Sequence, residues 1–155
     1  MAGHMKNVFI GAGGAEADGG VIFEHRRQHL APRGREPRLH RADPAADLPM
    51  ALVALGGSVE LAGPAGTRLV GADDFFTGFF ETALGDGELI TAVRVPGRPG
   101  MAWGYQKFVR RSNDWAIVGA AAVAGRIALA NMGPVPVRAR AAEEALANGA
   151  SAAEA

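Results

Sequence analysis

The stretch ADPAADLPMALVALGG, residues 42–57, leaves the chain fewer folding options than any other segment. Asp43-Pro44 is a turn dipeptide, because the proline ring pushes the residue before it out of the α region. Asp47 then stands where its carboxylate would cap a helix by accepting N–H groups of the first turn. Pro49 follows early enough that its missing N–H costs nothing. Leu48, Leu52 and Leu55 recur at helical spacing, and Gly56-Gly57 supplies a left-handed stop. The segment predicts one short helix laid on a core, entered from a turn and left through a glycine cap.

The pattern after this helix changes to period two. Ser58 to Leu61 and Thr67 to Val70 read as antiparallel strands joined by a turn at Gly63-Pro64-Ala65-Gly66. Asp73-Asp74 precedes FFTGFF, where a carboxylate caps a single helical turn and the phenylalanines anchor it to the core. Leu89 to Val95 alternates, with Leu89, Thr91, Val93 and Val95 on one face and Ile90, Ala92 and Arg94 on the other, and Pro96 ends the strand. Ala102 to Val109 is the next strand. Trp115 to Ala124 fits a small-residue strand or a buried helix, and periodicity leaves both open. A tight connection at Gly125-Arg126 leads to a strand from Ile127 to Ala130. Arg138 to Ala147, alanine-rich and ending at Asn148-Gly149, predicts a closing helix. Strands followed by a terminal helix give an α+β class.

Before residue 42 the chain reads differently. Asn7 to Ile10 is strand-like, GAGGAEADGG is glycine-rich, and EHRRQHLAPRGREPRLHR is dense in arginine and histidine with almost no apolar periodicity. Such a composition buries little surface, so loose packing is expected there. The GxGG after Ile10 has the look of a phosphate-binding turn but lacks the full dinucleotide fingerprint and a clear following helix. His25 and His29 would share a helix face as metal ligands do. Without an acidic third ligand, and among arginines that repel a cation, they read as a solvated polar stretch. The basic run carries no interleaved aromatic residue for base stacking, which argues against a nucleic-acid site.

Composition narrows the chemistry. The 155 residues suffice for one domain or for pieces of two, and 16 basic side chains balance 16 acidic ones, so no whole-chain field favours nucleic acid or an anionic membrane. The absence of cysteine removes disulfides, thiolate metal sites, iron–sulfur ligation and a cysteine nucleophile, and it fits a reducing, cytoplasmic compartment. No apolar run approaches the roughly 20 residues of a membrane span.

Taken in order, ADPAADLPMALVALGGSVELAGPAGTRLV, DDFFTGFFETALGDGELITAVRVP, GYQKFVRRSNDWAIVGAAAV and MGPVPVRARAAEEAL resemble the FAD-binding medium subunit of the xanthine dehydrogenase and carbon monoxide dehydrogenase family of molybdenum hydroxylases. The resemblance covers about Leu39 to Ala155. It implies the C-terminal part of a vanillyl-alcohol-oxidase-like FAD-binding domain at residues 39–98 and the start of the family's small C-terminal α+β domain at 99–155. Residues 1–38 are left as an atypical segment. FAD is the implied cofactor, and a molybdenum-cofactor large subunit and a 2Fe–2S small subunit are the implied partners. The flavin would pass electrons from the iron–sulfur clusters to an acceptor.

The same resemblance implies cofactor-binding positions at Asp43, Asp47, Ile90, Lys107 and Trp115. Asp47 matches the second aspartate of the ADPxxDLP block, which lies at the flavin nucleotide. Ile90 matches an apolar position against the cofactor and reads equally as a core residue. Lys107 or its neighbour Gln106 matches a lysine near the flavin, and Trp115 a position facing the isoalloxazine ring. Arg110 and Asp114 are expected to pair across the following turn. Where the family has a glycine-glycine loop that cradles the FAD phosphates, this chain has Arg35-Glu36-Pro37-Arg38, which lacks the close approach that glycine gives. The chain therefore reads as a piece truncated at both ends, with a foreign or shifted-frame sequence before about Leu39. Weak or no FAD binding by the chain alone is expected. The alternatives are a non-catalytic remnant and a small domain with a basic nucleic-acid-binding arm.

Overall fold

The structure, a computed structural model, describes residues 20–24, 38–97, 100–111 and 114–155. The strand-like Asn7 to Ile10, the GAGG turn, His25, His29 and the Arg35-Glu36-Pro37 stretch lie outside the described residues. Two four-stranded antiparallel sheets hold one helix between them, as the α+β pattern predicts.

The helix is α1, Asp47–Leu55, and it ends as predicted. Gly56 takes the left-handed conformation (φ 65°, ψ 36°), its N–H bonds back to Val53, and Gly57 N–H reaches the Leu52 carbonyl at 3.0 Å. The start differs. Ala46 is the cap residue and, as alanine, offers no acceptor, while the Asp47 carboxylate, one position further in, is engaged elsewhere. The buried face also differs from the Leu48/Leu52/Leu55 row. Pro49, Met50, Leu52, Val53 and Ala54 are buried, whereas Leu48 is 49% exposed. A helix between two sheets buries a wider arc than a leucine row marks.

The first sheet has the order β1-β6-β2-β3: β1 Gly20–Glu24, β2 Ser58–Gly63, β3 Gly66–Gly71 and β6 Leu89–Pro96. Strand β1 pairs with β6 from Gly20↔Pro96 to Glu24↔Ala92, and nothing in the composition of the segment before residue 42 announced it. Val59 and Leu61 of β2 point into the core and are fully buried. On β6 the strict alternation expected from the sequence breaks. Ala92 pairs with Glu60 but Ile90 pairs with Leu61, so Thr91 is the extra residue of a bulge. Its hydroxyl donates to the Glu60 side chain at 2.9 Å. The bulge puts Ile90 with Val93 and Val95 against the core and leaves Leu89 outside, 64% exposed.

Between these strands, α2 (Ala72–Phe75) is the single turn predicted at Asp73-Asp74, though neither carboxylate caps it. Phe75 and Phe76 meet edge to face at 5.1 Å and are buried. Phe79 and Phe80 do not anchor anything inside, because the chain folds back through a small hairpin, β4 (Phe76–Gly78) and β5 (Glu81–Thr82), whose tip carries them into solvent.

The second sheet has the order β10-β9-β8-β7: β7 Trp103–Phe108, β8 Val118–Val123, β9 Arg126–Ala130 and β10 Val137–Arg138. The open alternative at Trp115 to Ala124 resolves as a strand that starts later, at Val118, so Trp115 lies in the link before it. The closing helix α3 is Arg140–Ala147; Arg138, expected inside it, belongs to β10. Gly119, Ala121, Ala128 and Ala130 form the surface on which α1 rests, and the Met50 sulfur sits directly over Gly119. Only residues this small let a helix backbone approach a sheet so closely.

Candidate functional site

Of the five residues expected at a cofactor, Asp47 and Lys107 are tied together, and Asp43, Ile90 and Trp115 are placed separately. Asp47 opens α1, and β7 runs alongside with Tyr105 and Lys107 on one face and Gln106 on the other, since side chains alternate along a strand. The Tyr105 hydroxyl donates to Asp47 Oδ1 at 3.0 Å, and Lys107 Nζ donates to Asp47 Oδ2 at 3.0 Å. The cap expected of Asp47 is thus replaced by a link to a strand 58 and 60 residues further along the chain. Lys107, not Gln106, shares the Asp47 face of β7, and Gln106 pairs across the sheet with Ala120.

Electrostatics within this group are modest but specific. The Asp47 side chain is 46% exposed and that of Lys107 23%, so solvent screens the ion pair, which is worth about 1 kcal/mol or less. Burial, with a smaller contribution from the Asp47 hydrogen bond, pushes the Tyr105 hydroxyl up to about 12.

The turn before α1 is tied to the second sheet as well. Asp43 Oδ1 accepts from the Ala45 N–H at 3.0 Å, which makes it a turn former, and the Pro44 carbonyl accepts from the Asn131 N–H at 2.7 Å. Asn131, at φ 61°, also donates through its side-chain amide to the carbonyls of Ala116 and Ile117 at 3.0 and 3.1 Å. It therefore fixes the link that carries Trp115. Sequence reasoning missed Asn131, Tyr105 and this arrangement; the left-handed asparagine after β9 is the one local signal, and it does not reveal its partners.

Trp115 is 50% exposed, Ile117 43% and Phe108 65%. The Ile117 N–H donates to the Phe108 carbonyl at 2.9 Å, and Asp114 N–H to Arg111 carbonyl at 3.0 Å, so backbone bonds hold this corner. The expected Arg110–Asp114 ion pair is not among those formed by the described residues. Ile90 sits in the core-facing row of β6 against the buried cluster.

A flavin dinucleotide asks for converging N–H groups or cations at its pyrophosphate and for a planar apolar wall at its ring. Here the nearby cation, Lys107, is already on Asp47. The adjoining depression, lined by Gln106, Lys107, Phe108, Val118, Gly119 and Ala120, has a volume of about 190 Å³. Sites that enclose a ligand even of drug size run to roughly 300–1,000 Å³. The described residues bring a carboxylate and a lysine together beside this depression, which is smaller than such an enclosure. Among them no cluster of three metal-ligating side chains occurs, and no helix is long and apolar enough to cross a membrane.

Residues 19–98 match the FAD binding domain in molybdopterin dehydrogenase, and residues 103–155 match the CO dehydrogenase flavoprotein C-terminal domain. The first match takes in β1, and the Asp47 tie to Tyr105 and Lys107 joins one matched unit to the other. The carbon monoxide dehydrogenase medium chain of Afipia carboxidovorans is 43% identical over 82 residues, 52% of this chain and 28% of that one. The nicotine 6-hydroxylase medium subunit of Paenarthrobacter nicotinovorans is 42% identical over 85 residues, 55% and 30% of the two chains. This chain thus spans less than a third of these relatives' length. Among solved structures, carbon monoxide dehydrogenase from Hydrogenophaga pseudoflava, in a form lacking the Mo-pyranopterin moiety, superposes with a TM-score of 0.65 at 40% identity. That superposition covers 68% of this chain and 40% of the other. With both matched units present in order, and their seam closed by the Asp47 pairings, the chain belongs to the family of FAD-binding domains of molybdopterin dehydrogenases.

Proposed function

We propose that this chain works as part of the medium, flavin-carrying subunit of a molybdenum hydroxylase, passing electrons from iron–sulfur clusters through FAD to an acceptor. The observation that carries the reading is the Asp47–Tyr105–Lys107 cluster, in which a carboxylate of the first matched unit and a lysine of the second meet at one seam. Bound FAD would supply the redox chemistry. The chain's own residues would position it: Asp47 through a hydrogen-bonding carboxylate, Lys107 through its charge, and Trp115 as a planar shield. The partners in this reading are a molybdenum-cofactor large subunit and a 2Fe–2S small subunit, in the cytoplasm. The nucleic-acid arm raised from the sequence finds no support in the matches.

FAD titration of the purified chain, followed by quenching of flavin fluorescence, tests the proposal. The expected result is weak, non-stoichiometric binding that weakens further in Asp47→Asn. A stoichiometric yellow protein would show that the chain needs no further cradle and refute the partial-site reading. Weak binding unaffected by Asp47→Asn would refute the role given to Asp47.

A further inference from the structure

Helix α1 rests on a surface that does little to fix its position. Its Met50, Val53 and Ala54 meet Gly119, Ala121, Ala128 and Ala130, side chains too short to interdigitate. Packing of this kind is favourable through burial but weakly specific in register, because a helix slides over a nearly flat face at small cost. Polar contacts at its two ends supply what the packing lacks. At the first residue, the Asp47 carboxylate holds Tyr105 and Lys107 of β7. Six residues on, about 9 Å along the axis, the Val53 carbonyl accepts from Arg126 Nη2 at 2.8 Å and Nε at 3.3 Å.

Arg126 is itself held. Its Nη2 lies 3.0 Å from Asp73 Oδ1, and Asp73 Oδ2 takes Arg138 Nη1 at 3.1 Å. Arg138 also grips Glu143 of α3, whose carboxylate accepts the Ile127 N–H at 2.7 Å. Asp73 is thus the one acidic group of the first matched unit in this cluster, facing arginines of β9 and β10 with Arg140 at 3.9 Å. Side chains of Arg126, Arg138 and Asp73 are 27%, 12% and 31% exposed, so these pairs are less screened than ordinary surface ones. Arginine suits the place, since one planar fork serves a carbonyl and a carboxylate together.

We propose that Asp73 is a positioning residue: by holding the Arg126 guanidinium on the C-terminal end of α1, it fixes the register of that helix on the second sheet and so keeps Asp47 on Tyr105 and Lys107 at the other end. The inference concerns the seam between the two units, so a chain that binds no flavin tests it equally well. Polar contacts have this register-setting use elsewhere, where apolar packing alone permits more than one alignment.

Tyr105 is the only tyrosine in the chain, so a ¹³Cζ-tyrosine label gives one resonance that reports its ionisation in the full chain. The wild-type hydroxyl should titrate near 12. In Asp73→Asn the midpoint should fall toward the ordinary value of about 10, as the ring gains solvent and loses Asp47. Asp73→Glu, which keeps the charge, should recover most of the shift. Glu60→Gln, which removes the Glu60–Arg94 pair inside the first sheet, should leave Tyr105 unmoved. An unshifted Tyr105 in Asp73→Asn, or an equal shift in Glu60→Gln, would overturn the proposal. So would failure of Asp73→Asn to fold while Glu60→Gln folds, because Asp73 would then be a determinant of folding.

Discussion

Gly56 and Gly57 look interchangeable in the sequence, and the structure gives them different jobs that a pair of alanine variants separates. Gly56 is glycine chiefly because of its backbone: at φ 65° a side chain is strained by about 1–2 kcal/mol, and a Cβ there would lie 3.3 Å from Arg126 Nε. Gly57 has no such angle. A Cβ there would lie 2.3 Å from Leu52 Cδ1 and 2.9 Å from the Arg94 carbonyl oxygen, against a comfortable carbon contact of about 3.5–4.0 Å. Neither neighbour yields easily. Leu52 is a buried side chain of α1, and Arg94 belongs to β6, which is hydrogen-bonded to β1 on one side and β2 on the other. Overpacking of this kind costs about 1–3 kcal/mol, or more where backbone must move. For a chain of this size each kcal/mol lowers the melting temperature by about 2–4 °C. Thermal unfolding followed by circular dichroism should therefore rank wild type above Gly56→Ala and Gly56→Ala above Gly57→Ala. A Gly57→Ala chain as stable as the Gly56→Ala one would refute the close-approach argument.

Other predictions follow from particular contacts. Met50 is fully buried over Gly119, so Met50→Ala should cost about 2–5 kcal/mol by urea unfolding, while Leu48→Ala on the exposed side should stay within about 0.5 kcal/mol; equal effects would contradict the assigned face. The Arg68 guanidinium, helped by the Gly85 N–H, holds the Glu88 carboxyl down to about 2 from an ordinary 4.5. A depressed carboxyl stabilises the fold above its unfolded value and loses that contribution as pH falls through the folded one. The stability advantage of wild type over Glu88→Gln should accordingly be full at pH 7 and shrink between about pH 4.5 and 2, and a gap independent of pH would show that the Arg68 pairing is not its source.

Much of the architecture was legible because its signals are local. Pro44, Pro49 and the Gly56-Gly57 stop constrain backbone angles at their own positions, and the alternation in Ser58 to Leu61 and Ala102 to Val109 is a property of the strand itself. Errors arose where a distant group competed. The Asp47 carboxylate left the helix N–H groups for Tyr105 and Lys107, and the Thr91 bulge turned Ile90 inward against a strict period-two reading. Strand β1 was illegible for a related reason: its place is set by pairing with β6, far along the chain, and not by its own glycine- and arginine-flanked composition.

By itself, the sequence determined the family, the α+β class, the order of most elements and the residue types available at the site, since those depend on short motifs and on composition. Only the tertiary structure decided how they meet. It put Lys107 rather than Gln106 on the Asp47 carboxylate, gave Asp47 two partners in place of a cap, and gathered Asp73, Arg126 and Arg138 at the seam. The physical reason is reach: a turn or a cap is settled within a few residues, whereas a carboxylate finds its cation across 53 to 65 positions only after the two sheets have closed on α1.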